Sequence, residues 1–219
     1  MITKVTALAK TKLPILVAIM RSAREAVKHW PSQGKVQRLL KDKKDLLIEV
    51  GAGDRKGANG WTTIDVTGAC DIYWDLRRGI PFPDATVSKI YSSHFLEHLS
   101  FAEGQLFLDD CLRVLKRGGI FSISVPNARI YIDAYVKPDS FDKERFCVYA
   151  PAYNGTTRID YVNYMAYMNG HHKHMFDEES LLCILEKKGF RNARLRSFDP
   201  NLDRKERDYE SIYAEAEKP

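Results

Sequence analysis

The segment with the clearest chemical signature joins a short apolar run to a glycine-containing turn. Residues Leu46–Val50 lead into Gly51-Ala52-Gly53, and Asp65 stands 14 residues after Gly51. Glycines at a strand end can adopt positive φ and let a ligand approach the backbone closely. A carboxylate at the end of the next strand can accept both hydroxyls of a ribose. The spacing therefore indicates a site for a ribose-bearing ligand, with a purely structural turn capped by Asp65 as the alternative.

Other glycine motifs of nucleotide-binding proteins are incomplete in this sequence. The fingerprint G-x-G-x-x-G needs a third glycine three positions after Gly53, and that position is Lys56. The phosphate-binding motif G-x-x-x-x-G-K-[ST] does not occur in the chain. The predicted ligand therefore has no pyrophosphate, and a nicotinamide oxidoreductase is disfavoured.

A histidine run, His171-His172-Lys173-His174, offers three interpretations. An imidazole titrates near neutral pH and suits a general base. The run could also anchor a loop to a following helix that Asp177 caps. As a metal site it lacks a nearby pattern of ligating acids apart from Asp177, so no metal is expected. The choice between base and anchor stays open.

The segment 126–176 is too long to be a routine connection. It holds seven tyrosines and three phenylalanines, together with several asparagines. Such a surface suits stacking on, and hydrogen bonding to, a sugar or another polyhydroxylated acceptor. Packing of a subdomain or a dimer interface explains the same composition equally well. We expect a lid or acceptor-binding insertion here.

Short apolar runs that alternate with amphipathic stretches position these residues. They predict an α/β sheet with parallel pairing, whose ligands bind at the carboxyl ends of the strands. The helices are expected at 102–115, ended by Gly118-Gly119, and at 178–188, ended by Gly189. The strands are expected at 46–50, 62–66, 72–74, 88–92, 120–125, 192–198 and 211–216.

The charge of the chain is unevenly distributed. Its 219 residues carry a net charge of +5, but residues 1–44 carry 11 Lys and Arg against two acids, and the remainder is net acidic. This division predicts a basic helical extension at 1–44 and a domain at 45–219, without a nucleic-acid partner. The extension is either a solvated helix or a peripheral contact with anionic lipid or a phosphorylated glycan carrier.

Cysteine usage and hydropathy favour the cytoplasm. The four cysteines are 36–41 residues apart and form neither a C-x-x-C motif nor a cluster, as expected of reduced thiols. The longest apolar run, 13–20, has eight residues, whereas a bilayer span needs about 20. We therefore expect a cytoplasmic protein, at most peripheral to the inner face of a membrane.

Five segments between residues 46 and 219 carry a resemblance to a known family. They are LLIEVGAGDRKGANGWTTIDV, DIYWDLRRGIPFPDATVSKIYSSHFLEHL, CLRVLKRGGIFSISVPN, HKHMFDEESLLCILEKKGF and YESIYAEAEKP. In this order they resemble the class I S-adenosylmethionine-dependent methyltransferases and, more narrowly, small type 11-like bacterial methyltransferases associated with cell-surface polysaccharide synthesis. The resemblance implies a Rossmann-like sheet of seven mostly parallel strands flanked by helices.

The resemblance implies roles for the first of these segments. Glu49 would face the amino group of the methionine part of S-adenosylmethionine. Gly51 and Gly53 would pass beneath the cofactor, and Asp65 would hold its ribose hydroxyls. The sequence departs from the family where Asp54-Arg55-Lys56 follows the glycines, and the gap to Asp65 leaves room for about one helical turn at most.

The second segment would complete the cofactor site. Asp75 and the backbone N–H of Leu76 match the positions that meet the adenine. Ser92 and Ser93 would line the methionine side, and His94 would project toward the transferring methyl group. In Leu96-Glu97-His98-Leu99 we expect the polar residues to cap the following helix and to tie the strand edge together, with a functional role for Glu97 and His98 as the alternative.

The resemblance therefore implies a methyltransferase that O-methylates a sugar or glycan precursor. For a hydroxyl acceptor the protein must align the nucleophile, exclude water and remove a proton. His172 is the predicted general base, with His94 as its competitor. Methylation of a small metabolite or a lipid, and a non-catalytic binding module on the same fold, are the alternatives. The oligomeric state is left open.

Overall fold

A seven-stranded sheet forms the centre of the protein in the computed structural model, which describes residues 32–42, 44–149 and 152–219. The strand order is β3-β2-β1-β4-β5-β7-β6. Strands β1 to β5 pair in parallel, and β7 is antiparallel to both of its neighbours. The strands are β1 Leu46–Val50, β2 Trp61–Asp65, β3 Ile72–Tyr73, β4 Val87–Ser93, β5 Leu115–Pro126, β6 Arg191–Leu195 and β7 Ser211–Glu217.

Helices flank this sheet and bury its central strands. Residues 32–42 are helical and are called α1 here. Ile48, Ile90 and Ile123, from three neighbouring strands, are fully buried in the main core, as expected of parallel strands covered on both faces. The other helices are α2 Phe101–Val114, α3 Ala128–Val136, α4 Lys143–Phe146, α5 Ile159–Tyr167 and α6 Glu178–Lys187.

The predicted α/β class, its seven strands and the helix expected at 102–115 are confirmed, but the expectation that Gly118-Gly119 end this helix is wrong. Helix α2 ends at Val114, before Gly118-Gly119, and these glycines lie within β5, where the pairing with β4 shifts register. Residues 51–60, all of them described, contain no helix between β1 and β2. The backbone there is held by the Asp71 carboxylate, which accepts hydrogen bonds from the N–H groups of Gly57 (2.9 Å) and Thr63 (3.0 Å).

The segment after β5 folds around a small core of its own. Tyr131 and Tyr164 are completely buried in it, beside Met165 and Cys147. These tyrosines therefore pack a subdomain, one of the two interpretations of the aromatic composition. Tyr149, in contrast, is mostly exposed. A lid function for 126–176 stays a prediction.

The described part of the basic segment packs against the edge of the sheet. Val36 of α1 belongs to the main core, and Ser32 Oγ donates a hydrogen bond to the Tyr73 carbonyl (2.9 Å). Residues 1–31 and Lys43, which carry most of the predicted extension, lie outside the described residues. Within the described part of the chain, no helix has the length and apolarity to cross a bilayer.

Candidate active site

Three adjoining cavities lie where β1, β2 and β4 end, at the carboxyl edge of the sheet. The glycine-loop cavity (about 450 Å³) is bordered by residues 51–55 and Asp65. The Asp75 pocket (about 270 Å³) shares Asp65, Phe95 and His98 with it. The histidine cavity (about 320 Å³) shares His94, His98 and Arg207 with the glycine-loop cavity. This is the edge at which open α/β sheets bind ligands.

The two glycines of the loop have different surroundings. Both have positive φ, +71° at Gly51 and +64° at Gly53. A Cβ atom at Gly51 would overlap the ring of Phe95, whereas one at Gly53 would meet no atom within 4 Å. Gly51 is therefore required by close packing, and Gly53 leaves open space beside the backbone for a ligand.

We expect Gly51→Ala to destabilise the protein more than Gly53→Ala. Positive φ costs an alanine about 1–2 kcal/mol at either position, and the clash with Phe95 adds about 1–3 kcal/mol at Gly51 alone. Urea unfolding of the two variants measures the difference. Equal losses of stability would show that the Phe95 ring yields without cost.

Asp65 holds the loop through its carboxylate. Oδ2 accepts the N–H of Gly53 (2.9 Å), and Oδ1 accepts those of Val66 (2.6 Å) and Thr67 (3.2 Å). Thr67 Oγ1 closes the turn by donating to the Gly53 carbonyl (2.5 Å). A carboxylate offers about four acceptor sites, so capping the turn leaves capacity on Oδ2 for a ligand hydroxyl.

Glu49 is paired with an arginine that sequence reasoning missed. Its carboxylate contacts the guanidinium of Arg55, a residue that lines the glycine-loop cavity. Burial raises the pKa of Glu49, and the charge of Arg55 opposes that shift. A ligand amine at Glu49 would therefore share the carboxylate with Arg55.

Three arginines line the glycine-loop cavity, together with Asp54 and Asp65. These arginines are Arg55, Arg204 and Arg207. The Nε atoms of Arg55 and Arg204 are buried and have no hydrogen-bond partner among the described residues. Arg204 also donates to the Ala52 carbonyl (3.3 Å). Buried donors without partners suit a ligand carboxylate.

The Asp75 pocket lies at the far end of the glycine-loop cavity. Asp75 caps the short 3-10 helix Leu76–Arg78, and its carboxylate accepts Arg77 Nε (2.9 Å) and Nη2 (2.7 Å). The hydrogen bond from Arg77 holds the pKa of Asp75 below its ordinary value. Leu76 is buried in the wall of the pocket. The two predicted adenine contacts, Asp75 and Leu76, thus line the same pocket. The Asp75 carboxylate also accepts hydrogen bonds from Arg77.

Only one of the two predicted serines reaches a cavity wall. Ser93 lines the glycine-loop cavity and accepts a hydrogen bond from Ser124 Oγ (3.1 Å). Ser92 is fully buried within β4, and its Oγ has no partner among the described residues. Successive side chains of a strand point to opposite faces, so the two hydroxyls do not face the same cavity. A role of Ser92 in cofactor binding stays a prediction.

The histidine cavity brings the two predicted catalytic residues together. His94, at φ +50°, makes a hydrogen bond from Nε2 to Ser211 Oγ (2.7 Å), and His172 makes one from Nδ1 to the Met165 carbonyl (2.7 Å). Burial lowers the pKa of His172 to about 4 and that of His94 well below its ordinary value. Both imidazoles are therefore neutral at pH 7.

Glu97 and His98 do not cap a helix, which corrects the expectation for them. They lie in the 3-10 helix Leu96–His98, and Ser100 caps α2 instead. Glu97 is 2% exposed, and neither carboxylate oxygen has a hydrogen-bond partner among the described residues. Burial raises the pKa of Glu97 to about 8.

Hydrogen bonds join this strand edge to the histidine run. The Glu97 carbonyl accepts the Lys173 N–H (2.8 Å), and His98 Nδ1 bonds the His171 carbonyl (3.0 Å). Asp177 caps α6 with a reciprocal bond to Ser180, as predicted for the anchor interpretation.

Comparisons with known proteins match part of the chain to methyltransferases. Residues 71–123 match the family model described as "Methyltransferase domain". A probable S-adenosylmethionine-dependent methyltransferase of Mycolicibacterium smegmatis is 40% identical over 57 residues, which are 24% of this chain and 21% of that protein. The chain therefore matches about a fifth of the length of this curated relative.

Similar folds occur among solved structures. Phosphoethanolamine N-methyltransferase 2 of Haemonchus contortus, solved with S-adenosyl-L-methionine, aligns with a TM-score of 0.50 at 11% identity, over 87% of this chain and 53% of that one. A SAM-dependent methyltransferase of Archaeoglobus fulgidus gives 0.49 at 17% identity, over 89% and 94%. The former likeness identifies the fold as the Rossmann-like methyltransferase fold.

The sequence matches are thus to a methyltransferase domain and to a protein described as a probable user of S-adenosylmethionine. The residues present fit this cofactor. Gly53 leaves open space beside the loop, and the buried arginine donors without partners suit the carboxylate of its methionine part.

Proposed function

We propose that the protein transfers a methyl group from S-adenosylmethionine to a hydroxyl of a sugar or another polyhydroxylated acceptor. One observation carries this proposal. His94 lines both the glycine-loop cavity and the histidine cavity, so an acceptor in the latter would lie beside a cofactor in the former. The lining of the histidine cavity includes Tyr149 and Asn169, which suit stacking on a sugar and hydrogen bonding to it.

S-adenosylmethionine supplies a methyl group that is already activated on a sulfonium. The chain's part is to bind and orient. Asp65 offers an acceptor to ribose hydroxyls, Leu76 and Asp75 frame the end pocket, and the arginines of the glycine-loop cavity bind a carboxylate. Holding both reactants in one geometry is itself a large part of the rate enhancement.

The acceptor's proton requires a nearby base, and two neutral imidazoles line the cavity. His172 Nδ1 faces a carbonyl, which can only accept, so Nδ1 carries the proton and Nε2 has a free lone pair. That lone pair can take a proton from a bound hydroxyl, but the lowered pKa makes His172 a weaker base than an ordinary imidazole. His94 is the second candidate, since it also lines the wall of both cavities.

The finer assignment to cell-surface polysaccharide synthesis, with residues 1–44 meeting anionic lipid or a phosphorylated carrier, is part of the same proposal. It is supported by the sequence resemblance and by the basic charge of that segment.

Two measurements test the proposed function. Calorimetry is expected to show one site for S-adenosylhomocysteine, the demethylated cofactor. Methyl-labelled S-adenosylmethionine is then incubated with a panel of free sugars, nucleotide sugars, amines and lipids. Label is expected on a sugar oxygen. Absence of cofactor binding rejects the enzyme, whereas label confined to amines or lipids rejects only the acceptor class.

A further inference from the structure

A buried carboxylate in the histidine cavity is surrounded by hydrogen-bond acceptors. Glu97 Oε1 lies 3.8 Å from His94 Nδ1 and 3.8 Å from His98 Nε2, beyond hydrogen-bonding distance. One ligating atom each from Glu97, His98 and His172 lie within 4.8 Å of one another. Arg207 lines the same cavity, but neither Glu97 oxygen accepts a hydrogen bond from it.

The outer hydrogen bonds of the imidazoles decide which nitrogens carry lone pairs. His98 Nδ1 and His172 Nδ1 both face backbone carbonyls, so both must donate, and each Nε2 is left with a free lone pair in the neutral ring. Backbone carbonyls that hold the far nitrogen in this way are the usual second partners of metal-bound histidines.

The nitrogen of His94 that carries the proton is also fixed by a hydrogen bond, in this case to a hydroxyl group. Ser211 Oγ donates its proton to the Arg207 carbonyl (2.7 Å), so it can only accept from His94 Nε2. Nδ1 of His94 is therefore also an acceptor, and it faces Glu97. Lone pairs of three imidazoles converge on the Glu97 carboxyl group. Burial favours the neutral form of this group, and a cation bound among these atoms would displace its proton and stabilise the carboxylate.

We infer that Glu97, His98 and His172 form a binding site for a divalent transition-metal ion of the Zn²⁺ type. Two histidines and one carboxylate are a ligand set of catalytic zinc sites, with bonds of about 2.0–2.2 Å. The ligand atoms need to close by about an ångström to reach such bonds. Of these three residues, only His172 belongs to the histidine run 171–174. Glu97 supplies the ligating acid that the run lacks, and His98 supplies the second imidazole.

The site would serve the proposed function, on which this part of the inference rests. All three ligands line the histidine cavity, so an open coordination position would face the acceptor. A hydroxyl bound there would lose its proton more readily, because the ion stabilises the oxygen anion. The O–H bond breaks, the electron pair stays on oxygen, and the proton passes to His94 Nδ1 or to water. His172 then binds the metal, and His94 remains the free imidazole.

Metal binding is tested without cofactor or acceptor. Untagged full-length protein is freed of metal with a chelator, and Zn²⁺ is titrated by calorimetry, with Co²⁺ absorption as a check on the ligands. We expect one equivalent to bind at micromolar affinity or tighter. Because loss of outer-shell partners alone costs about 10–100-fold in affinity, Glu97→Gln and His172→Ala are expected to weaken binding by about 100-fold or more.

The matched control is His171→Ala, which removes an exposed imidazole one residue away and is expected to bind Zn²⁺ like the parent. Thermal melting serves as a second readout. Zn²⁺ is expected to raise the Tm of the parent and of the control, but not of Glu97→Gln. The inference is overturned by a parent that binds no stoichiometric Zn²⁺, or by Glu97→Gln and His172→Ala binding as tightly as the parent.

Titration of S-adenosylhomocysteine into the same samples separates this inference from the proposed function. Zn²⁺ binding without cofactor binding would reject the methyltransferase and keep the metal site. Cofactor binding without Zn²⁺ binding would reject the metal site and keep the proposed methyltransferase function.

Discussion

Asp65→Ala is expected to weaken the binding of S-adenosylhomocysteine by about 10- to 100-fold. Hydrogen bonds to a charged group contribute about 1.5–3 kcal/mol, and each 1.4 kcal/mol is about tenfold in affinity. The variant loses the predicted acceptor of the ribose hydroxyls. It also frees the N–H groups of Gly53, Val66 and Thr67, so the loop beneath the cofactor is no longer held. Calorimetry at fixed pH and salt measures the change.

The matched control is Asp54→Ala. Asp54 is an exposed carboxylate on the rim of the same cavity, so its removal makes the same change in net charge. We expect it to change affinity by less than about threefold, because exposed charges interact weakly through water. If Asp65→Ala binds the cofactor like the parent, the carboxylate serves the turn alone.

His172→Ala is expected to lower kcat by about 100-fold or more, with cofactor affinity unchanged. General bases contribute about 10²–10⁴-fold to rate, and loss of a metal ligand that activates the acceptor would be at least as severe. His172 lines the histidine cavity and not the glycine-loop cavity, so the cofactor site stays intact. Initial rates on a sugar acceptor found by the labelled-donor screen measure the effect.

Two further variants show whether the loss of kcat is specific to His172. His174→Ala, in the same run, is expected to keep kcat within about threefold, since His174 is not among the residues that line the three cavities. His94→Ala discriminates between the two imidazoles. A normal kcat in His172→Ala together with a large loss in His94→Ala would assign the proton transfer to His94 alone. The Zn²⁺ titration then shows whether a loss in His172→Ala comes from a base or from a metal ligand.

Local features made much of the fold and the cofactor loop predictable. Residues Leu46–Val50 are apolar, and the glycines that follow them permit positive φ, so the strand and its turn follow from neighbouring residues alone. Asp177 likewise caps α6 through a bond to Ser180, three residues away. Gly118-Gly119, which were expected to end α2, lie inside β5 instead, because Leu115–Pro126 pairs with β4 and β7 and the sheet overrides the glycine signal.

The charged residues of the site were not predictable in this way. Arg204 and Arg207 follow Asp65 by well over a hundred residues, and the irregular chain before β7 brings them to the glycine-loop cavity. Glu97 was expected to cap a helix because carboxylates near helix starts usually do so. Its burial next to His98 and His172 depends on how the segment 171–174 folds back onto the strand edge.

The sequence by itself determined the class of sheet, the glycine loop and the position of Asp65, because hydrophobic periodicity and backbone freedom are properties of adjacent residues. The tertiary structure alone decided which side chains share a cavity. In the folded protein Ser92 is buried within the sheet, and Arg55 forms an ion pair with Glu49. His94 and His172 line the same cavity. The tertiary structure also left the Glu97 carboxylate buried among imidazole lone pairs, since desolvation and lone-pair direction arise only when distant segments pack together.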